Sequence, residues 1–416
     1  MNKKSLADVN LQGKKVLMRV DFNVPLDSGR ITDDTRIKAA MPSIKHILDD
    51  GAEGLILASH LGRPKGRGYE AEFSLRPVAE HLASMLGKEV RFAEDCLAAD
   101  EQVQSLQKGE VLMLENTRFH AEEEGKVKRT DDMSDEQYKQ AKKEMREKQQ
   151  EMARKLASYC DVYVNDAFGT AHRSHASTAV ICDYCDLCLA GFLMQKEIAF
   201  LGQAVSNPAH PYVAVIGGAK VSGKLEVLHN LFGKVDTFLI GGGMAFTFLK
   251  AMGIEIGDSL VENDLIDTAK ETMEKAEKAG AKFLLPLDHV VGDRFAADAE
   301  TRTTEGQAVE KGWLGLDIGP KTIAAFEKEV KSSRNLVWNG PMGCFEMQPF
   351  AEGTMAICRA IAESDTVSII GGGDSVSAVN QSGLADKMNH ISTGGGASLE
   401  FLEGKTLPGV AALDDK

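Results

Sequence analysis

The residues with the clearest chemical meaning lie in a glycine-rich turn, where glycines 371, 372 and 373 precede Asp374 and Ser375. The apolar run before the turn (residues 367–370) predicts a buried strand, and the residues after it predict a helix. Glycines let backbone N–H groups approach a bound anion, and a helix N-terminus adds partial positive charge. A second triplet, residues 394–396, also precedes a predicted helix. The two turns predict a phosphate site in two parts, although two tight turns of an α/β fold would show the same pattern.

Basic side chains form a second group, because they follow predicted strands in the first half of the chain (residues 15–20, 55–59, 111–114 and 162–164). In an open parallel sheet the ligand crevice lies outside the carboxyl ends of the strands. Guanidinium groups hold carboxylate or phosphate oxygens in pairs, so we expect these side chains to converge on one small anion. Any one of the arginines alone would be interpreted as a solvated surface charge. The basic members are Arg36, His60, Arg63, Arg118 and Arg173, and we expect Asp21 and Asn23 to lie beside them.

Residues 218–224 match the P-loop spacing G-x-x-x-x-G-K, but the next residue is Leu225. A P-loop needs a Ser or Thr hydroxyl there to hold magnesium, so a Walker-type NTPase is disfavoured and Asp374 becomes the candidate metal ligand. Lys220 and Lys224 are four residues apart, and we expect them on one side of a helical turn that faces phosphates. Two surface lysines are the alternative. The glycine triplets lack the third small residue of the dinucleotide fingerprint, which makes NAD binding the weaker hypothesis.

The composition is typical of a soluble globular protein, with 43% hydrophobic and 26% charged residues, and the length of 416 residues predicts two domains or three. The net charge of −14 argues against a general binder of nucleic acid or anionic membranes. No apolar run is long enough to span a membrane, and the first residues do not resemble a signal peptide. We therefore expect a cytoplasmic protein.

Seven cysteines, an odd number spread over a long chain, favour a reducing compartment over a disulfide framework. Cys182, Cys185 and Cys188 have a C-x-x-C-x-x-C spacing that could ligate zinc or an iron–sulfur cluster. No fourth ligand has a matching spacing nearby. We therefore expect reduced thiols, with a metal site as the alternative.

The elements that must position these residues follow a repeated β–α order in both halves of the chain. The second half has predicted strands at residues 212–216, 237–240, 283–285, 336–338 and 367–370. Short apolar strands that alternate with helical patterns are typical of parallel sheets, so we predict an α/β protein with two doubly wound, Rossmann-like domains. The charged residues 126–160 include a capping-box spacing at Ser134 and Gln137 and predict an amphipathic helix on the first domain. A partner-binding helix is the alternative.

Several long motifs, in order along essentially the whole chain, resemble those of the phosphoglycerate kinase family. They are residues 19–25 (RVDFNVP), 60–64 (HLGRP), 165–173 (NDAFGTAHR), 217–221 (GGAKV), 338–341 (WNGP), 371–374 (GGGD) and 392–397 (STGGGA). The resemblance implies reversible phosphoryl transfer between 1,3-bisphosphoglycerate and ADP, giving 3-phosphoglycerate and ATP, with Mg²⁺ as cofactor. It also implies a monomer that acts in glycolysis and gluconeogenesis.

The same resemblance implies two domains that face each other across a hinged cleft. Residues 1–190, joined by the tail 405–416, would bind phosphoglycerate, and residues 191–404 would bind the nucleotide. The helical pattern of residues 191–207, which the run NPAHP at 207–211 breaks, itself predicts a helix that connects the domains. We expect closure about this helix and the segment 392–396, because direct transfer requires the two crevices to meet and to exclude water. The charged insert at residues 126–150 has variable length in the family, and we attach no function to it.

The resemblance further implies roles for individual residues of this sequence. Phosphoglycerate would be bound by Asp21, Phe22, Asn23, Arg36, His60, Leu61, Gly62, Arg63, Arg118 and Arg173. The nucleotide would be bound by Gly218, Ala219, Lys220, Lys224, Gly241, Gly315, Asn339, Glu346, Gly371, Gly372, Gly373, Asp374 and Ser375. Glu346 would contact the ribose and Asp374 the magnesium. Arg36, Lys220, Gly373 and Gly396 would act in catalysis.

The acceptor in this reaction is a carboxylate with an unperturbed pKa of ~3.5, so no general base is needed. Catalysis then depends on alignment and on neutralising the charge of the transferred phosphoryl group. A different small-molecule kinase would not need basic side chains at four strand ends. A non-enzymatic scaffold would not need Lys220 and Asp374 beside bare glycine turns. The sequence leaves the choice between ATP and GTP open.

Overall fold

The computed structural model describes residues 2–206 and 208–416, whose strands and helices alternate along the chain. The strands are β1 (Lys15–Arg19), β2 (Leu26–Asp27), β3 (Arg30–Ile31), β4 (Gly54–Ala58), β5 (Val90–Ala93), β6 (Val111–Leu114), β7 (Val162–Asn165), β8 (Cys188–Ala190), β9 (Tyr212–Ile216), β10 (Thr237–Ile240), β11 (Lys282–Leu284), β12 (His289–Gly292), β13 (Thr301–Thr303), β14 (Leu314–Ile318), β15 (Asn335–Asn339), β16 (Val367–Gly371) and β17 (His390–Ile391). The α-helices are α1 (Thr35–Asp49), α2 (Arg76–Leu86), α3 (Asp100–Gln104), α4 (Asp135–Ala157), α5 (Phe192–Ser206), α6 (Leu225–Leu231), α7 (Ala245–Ala251), α8 (Ile266–Lys278), α9 (Pro320–Ser332), α10 (Glu352–Ala362), α11 (Gly373–Ser382), α12 (Gly396–Leu402) and α13 (Pro408–Ala411).

These elements form two units, one made of the described residues through Ile198 together with Thr406–Lys416, the other of Ala199–Lys405. Each unit contains a six-stranded parallel sheet, with strand orders β5–β6–β4–β1–β7–β8 and β11–β10–β9–β15–β16–β17. The predicted fold class, two parallel-sheet α/β domains, is confirmed. The nine strands predicted from apolar runs are all present, and each begins and ends within one residue of its predicted position.

Burial explains why these strands were visible in the sequence. Every residue of β4 and of β9 is buried, and a parallel strand covered on both faces gives a continuous apolar run. The strand order changes direction beside β1 in the first sheet and beside β9 in the second. Ligands of doubly wound sheets bind at such switch points, outside the carboxyl ends of the strands.

Six strands of the two parallel sheets and of a three-stranded sheet were not predicted. β5, β8 and β17 complete the two parallel sheets, and β12, β13 and β14 form an antiparallel sheet in the second unit. In β13 two of the three residues are exposed, and β17 contains only two residues. Short or exposed strands lack an apolar run, so only their pairing with neighbours defines them.

The charged segment forms α4, as predicted. Its N-terminus is closed by the expected capping box, in which Gln137 N donates to Ser134 Oγ at 3.2 Å and Ser134 N donates to Gln137 Oε1 at 2.9 Å. The C-terminal half of the helix buries Met152 and Leu156. Most of the charged side chains remain in solvent.

The connecting helix and the C-terminal tail have defined contacts within the units. α5 begins at Phe192, and the division between the units falls inside it, after Ile198; Asn207, the last residue of the predicted linker, lies outside the described residues. The tail packs in the first unit, where Asp414 N donates to Cys188 O at 3.0 Å and Gly409 N to Ala171 O at 2.8 Å.

All seven cysteines are free thiols. Within residues 2–206 and 208–416, no helix combines the length and the apolar character needed to cross a membrane.

One buried carboxyl, that of Asp166, couples folding to pH. Its Oδ1 accepts a hydrogen bond from Met194 N in the first turn of α5 at 3.0 Å, and its Oδ2 has no partner among the described residues. Burial raises the pKa of Asp166 to about 7. Because the unfolded value is ~3.9, the folded protein holds more protons between these values, and its free energy of unfolding decreases as pH rises through them.

We therefore expect Asp166→Asn, which stays neutral, to reduce the loss of stability between about pH 5 and 8 by up to about 1 kcal/mol per pH unit. Urea titrations at several pH values measure the free energy of unfolding. Asp34→Asn is the control, because a hydrogen bond from Lys38 lowers the pKa of Asp34 and that carboxylate does not titrate in this range. An Asp166→Asn protein with the parent's pH dependence would contradict the prediction.

Candidate active site

Four neighbouring strands of the first sheet bring the predicted basic residues to one edge. β6, β4, β1 and β7 are adjacent and parallel, so the residues that follow them lie at the same end of the sheet. This edge carries Asp21 and Asn23 after β1, His60 and Arg63 after β4, Arg118 after β6, and Arg173 after β7. The structure therefore brings together residues that are far apart in the sequence.

Asp21 positions Arg36, which lies in the first turn of α1. The Arg36 Nη1 donates to Asp21 Oδ2 at 2.8 Å, and the two side chains are 36% and 10% exposed. The other carboxylate oxygen, Oδ1, lies 3.7 Å from His60 Nδ1 and is buried without a hydrogen bond. Arg36 is thus held in place while much of its guanidinium stays accessible to a ligand.

The loop after β4 is fixed from both sides by residues of the predicted set. Gly62 N donates to Asn23 Oδ1, and Arg118 Nη1 donates to Gly62 O, each at 2.8 Å. Asn116 Nδ2 donates to Leu61 O at 2.7 Å. Burial lowers the pKa of Arg118 to about 10, so its guanidinium remains charged at neutral pH.

The remaining members of the set differ in what they can offer a ligand. Phe22 and Leu61 are buried core side chains, so only their backbones are available at this edge. Arg63 is exposed and forms no hydrogen bond or ion pair with the described residues. Arg173 is half-buried, and its Nε donates to His172 Nε2 at 3.1 Å.

Arg19, the last residue of β1, supports the site although it is absent from the predicted residue sets. Its side chain is fully buried, with Nε donating to Ser177 Oγ at 2.7 Å and Nη2 lying 3.3 Å from His60 Nδ1. Burial, Arg19 and Arg118 hold the pKa of His60 well below its usual range. Since Arg19 can only donate, neutral His60 accepts at Nδ1 and carries its proton on Nε2. An arginine inside an apolar strand was the available signal.

The second unit uses close backbone contacts at its corresponding edge. A Cβ on Gly217 would lie 2.1 Å from Pro341 O, and one on Gly340 would lie 2.1 Å from Gly217 O. Gly218 N also donates to Pro341 O at 2.9 Å. The turns after β9 and β15 therefore pack backbone against backbone, which only glycine permits.

At two other predicted nucleotide ligands, Gly241 and Gly315, close packing leaves no room for a side chain. A Cβ on Gly241 would lie 2.5 Å from Met342 Sδ, and one on Gly315 would lie 1.9 Å from the ring of Phe246. Gly315 belongs to β14 of the antiparallel sheet, and its N–H donates to Ser259 Oγ at 2.9 Å.

The turn after β16 has the geometry of an anion site. α11 begins at Gly373, and Gly372, with a φ of 90°, occupies the preceding position in a conformation that favours glycine. Gly373 and Asp374 are exposed, whereas Ser375 is buried and its Oγ accepts a hydrogen bond from Gly340 N at 2.6 Å. The first amides of a helix have no intrahelical acceptor, so they are free to bind an anion. α12 begins in the same way at Gly396, after Gly395 with a φ of 50°.

The two lysines do not share a helical turn, and that prediction was wrong. α6 begins only at Leu225, after a turn in which Lys224 N donates to Val221 O at 2.8 Å. Lys220 precedes this turn and is exposed. Lys224 is partly buried, donates to Asn339 Oδ1, and has its pKa lowered by burial while Asp374 opposes that shift.

Ala219 and Glu346, the last members of the predicted nucleotide set, are exposed. The Nδ2 of Asn339 is buried without a hydrogen-bond partner among the described residues. Gly371 and Gly372 lie against this amide, since their Cβ positions would be 3.6 and 3.1 Å from it.

Comparison with known proteins decides the family. The profile of the phosphoglycerate kinase family matches residues 6–405. The chain belongs to the phosphoglycerate kinase family. Phosphoglycerate kinases from Acidobacterium capsulatum and Chloroherpeton thalassium are 53% and 51% identical to it over 428 and 420 residues, and both alignments cover 100% of each chain. The structure of phosphoglycerate kinase from Coxiella burnetii matches with a TM-score of 0.86 and 39% identity, covering 99% of this chain and 98% of that one.

Membership of the phosphoglycerate kinase family confirms the resemblance seen in the motifs and makes the chain a kinase. The two predicted residue sets lie in different units, the basic set in the first and the glycine-rich set in the second.

Gly340 and Gly373 offer a test of which glycines pack and which are open to a ligand. Gly340 has a φ of 99° and no room for a Cβ, whereas Gly373 has no atom within 4 Å of one. We expect Gly340→Ala to lower the free energy of unfolding by more than about 2 kcal/mol. Gly373→Ala should stay within about 0.5 kcal/mol of the parent. Urea unfolding of both variants measures the difference, and equal stabilities would contradict this assignment.

Proposed function

We propose that this chain catalyses the reversible transfer of a phosphoryl group between 1,3-bisphosphoglycerate and ADP, giving 3-phosphoglycerate and ATP. The observation that carries the proposal is the set of basic side chains at four adjacent strand ends of the first unit, in a chain with a net charge of −14. A small, strongly anionic substrate is the ligand that such an edge suits. The relatives' name, phosphoglycerate kinase, supports 3-phosphoglycerate as that substrate.

In this proposal the first unit binds phosphoglycerate and the second binds the nucleotide. The phosphoglycerate ligands are Asp21, Asn23, Arg36, His60, Arg63, Arg118 and Arg173, with the backbones of Phe22, Leu61 and Gly62. The nucleotide ligands are Gly218, Ala219, Lys220, Lys224, Gly241, Gly315, Asn339, Glu346 and residues 371–375. Gly241 and Gly315 would act by keeping the surface open, because a side chain at either position would displace its neighbours.

The chemistry requires charge neutralisation rather than proton transfer. The acceptor carboxylate is already ionised at neutral pH, because its unperturbed pKa is ~3.5. Neutral His60 is suited to donate a hydrogen bond from Nε2, and Arg118 stays charged despite its burial. Arg36 and Lys220 would neutralise the phosphoryl group in transit, and the amides at the starts of α11 and α12 would orient its oxygens.

Mg²⁺ would be held by Asp374 together with the nucleotide phosphates. The ion is typically bound by one or two carboxylates plus phosphates and water, and the exposed carboxylate at the start of α11 fits that role. The bound ion would offset negative charge on the phosphates. The nucleotide ligands named above would position the nucleotide.

Direct transfer also requires the two ligands to meet and water to be excluded, since water would hydrolyse the acyl phosphate. We therefore propose closure during turnover about α5 and the segment 392–396, with in-line transfer in the closed state. The chain would act as a monomer in the cytoplasm, in glycolysis and gluconeogenesis.

A coupled assay with 3-phosphoglycerate and Mg-ATP tests the activity, with glycerate analogues that lack the phosphate as the comparison. We expect turnover only with 3-phosphoglycerate. Turnover of another acceptor, or none with this one, would reject the proposed substrate.

In the same assay Arg36→Ala and Lys220→Ala should each lower kcat by at least about a hundredfold, because their charges are proposed to act mainly on the transition state. The KM values should change much less. Arg30→Ala and Lys250→Ala are matched controls, since both side chains are exposed and outside the predicted sets. Near-normal kcat in both active-site variants would remove these residues from the mechanism.

Small-angle scattering tests closure and oligomeric state together. We expect the radius of gyration to fall when 3-phosphoglycerate and Mg-nucleotide are both bound, relative to the free protein and to either ligand alone. The scattering mass should be that of one chain of 45.0 kDa. An unchanged radius with both ligands present would argue against closure, and a doubled mass against a monomer.

A further inference from the structure

Three side chains of types that can ligate metals meet at the edge of the first sheet, outside the residue sets described above. Asp95 and Cys96 follow β5, and His120 follows the 3₁₀ turn Thr117–Phe119 after β6. One ligand atom from each lies within 4.8 Å of the other two, and among the described residues this is the one such group of three. β5 and β6 are parallel neighbours, which explains why loops so far apart in sequence meet here.

The group is held in place by its surroundings. Asp95 Oδ1 accepts a hydrogen bond from Leu97 N at 2.9 Å and lies 2.9 Å from His120 Nε2. The His120 backbone N–H donates to Thr117 O at 3.3 Å, and Gly68 N donates to the preceding carbonyl, Phe119 O, at 2.9 Å. Hydrogen bonds therefore fix both loops before any ligand binds. A metal bound between them would have to order little of the chain.

The three side chains differ in exposure. Cys96 is 1% exposed, so its thiol is not a surface group, whereas Asp95 is exposed and His120 is partly buried. An ion would therefore reach the group from the side of the Asp95 carboxylate and the His120 imidazole.

We propose that Asp95, Cys96 and His120 form a zinc site, with one carboxylate oxygen, one thiolate sulfur and the imidazole Nε2 as ligands. Oxygen, nitrogen and sulfur donors together suit Zn²⁺ better than Mg²⁺ or Ca²⁺, and three protein ligands leave a fourth tetrahedral position for water. Tetrahedral ligands lie about 3.5 Å apart, so small side-chain rotations close the site. On binding, the Cys96 thiol releases its proton to solvent. The His120 imidazole binds the metal as a neutral group, with Nε2 as the ligand and its proton on Nδ1, in place of the Nε2 contact with Asp95 Oδ1.

The site would cross-link two loops, one of which carries Arg118 two residues before His120. Its role is independent of the proposed phosphoryl transfer, because none of its three ligands belongs to either residue set. Its presence would stabilise the segment Thr117–Phe119 without taking part in the reaction.

Co²⁺ titration of the full-length, chelator-treated protein tests the proposal. We expect one Co²⁺ per chain, thiolate-to-cobalt charge-transfer absorption, and displacement by Zn²⁺. Cys96→Ser should abolish the charge-transfer band, and Asp95→Asn and His120→Gln should each weaken binding by at least about tenfold. Asp95 is exposed, so its variant keeps the test valid even if the buried Cys96→Ser protein does not fold.

Two control variants distinguish the proposed site from other histidines and thiols. The Nε2 of His81 lies 3.2 Å from Asp34 Oδ2, but this pair belongs to no group of three ligands in the part of the chain that the structure describes. The His81→Gln protein should therefore bind Co²⁺ like the parent. Cys182→Ser removes a thiol of the C-x-x-C-x-x-C motif and should also retain the band. A band that survives in Cys96→Ser and disappears in Cys182→Ser would overturn the proposal, as would the lack of stoichiometric binding.

Discussion

The buried guanidinium of Arg19 is the interaction on which the basic edge of the first unit depends. It donates to Ser177 Oγ and to Val20 O, and it lies 3.7 Å from Glu123 Oε1. Glu123 is itself fully buried and accepts two hydrogen bonds from Ser177, at 2.9 and 2.6 Å. Removing one partner of a buried ion pair costs about 3–5 kcal/mol. The pair therefore ties the end of β1 to the loops that carry Glu123 and Ser177.

Burial and the neighbouring arginines together determine which groups at this edge are cationic. His60 lies beside Arg19, and His175 lies 3.8 Å from Glu123 at its Nδ1. Burial, Arg118 and Arg19 lower the pKa of His175 to about 3, so both imidazoles are neutral at physiological pH. Positive charge for an anionic ligand therefore comes from arginines, whose charge does not change near neutrality.

In the proposed reaction the second unit has to bind oxyanions too, and it would do so with backbone amides that close packing of glycines leaves exposed. Its turns after β9 and β15 approach so closely that a Cβ at Gly217 or Gly340 would collide with backbone oxygens. Close packing of these turns leaves the start of α11 exposed beside them, with Gly373 and Asp374 in solvent. Arginine side chains in one unit and bare backbone amides in the other are two ways of binding oxyanions, and they suit different parts of a reaction between two anionic substrates.

The fold class, nine of the strands, the capped helix α4 and the family could all be predicted from local patterns, because buried parallel strands and long motifs leave such patterns in a sequence. The burial and the partners of individual residues could not be predicted in this way. The tertiary structure separated Gly340, which packs, from Gly373, which is open, although both stand after a strand. It also placed Lys220 outside the helical turn expected for it, showed Arg19 as a buried support, and joined Asp95 and Cys96 to His120. The spacing of residues along a chain reports local geometry. The burial of a side chain and its partners depend on the order of strands in the sheet, which brings together residues that no local pattern connects.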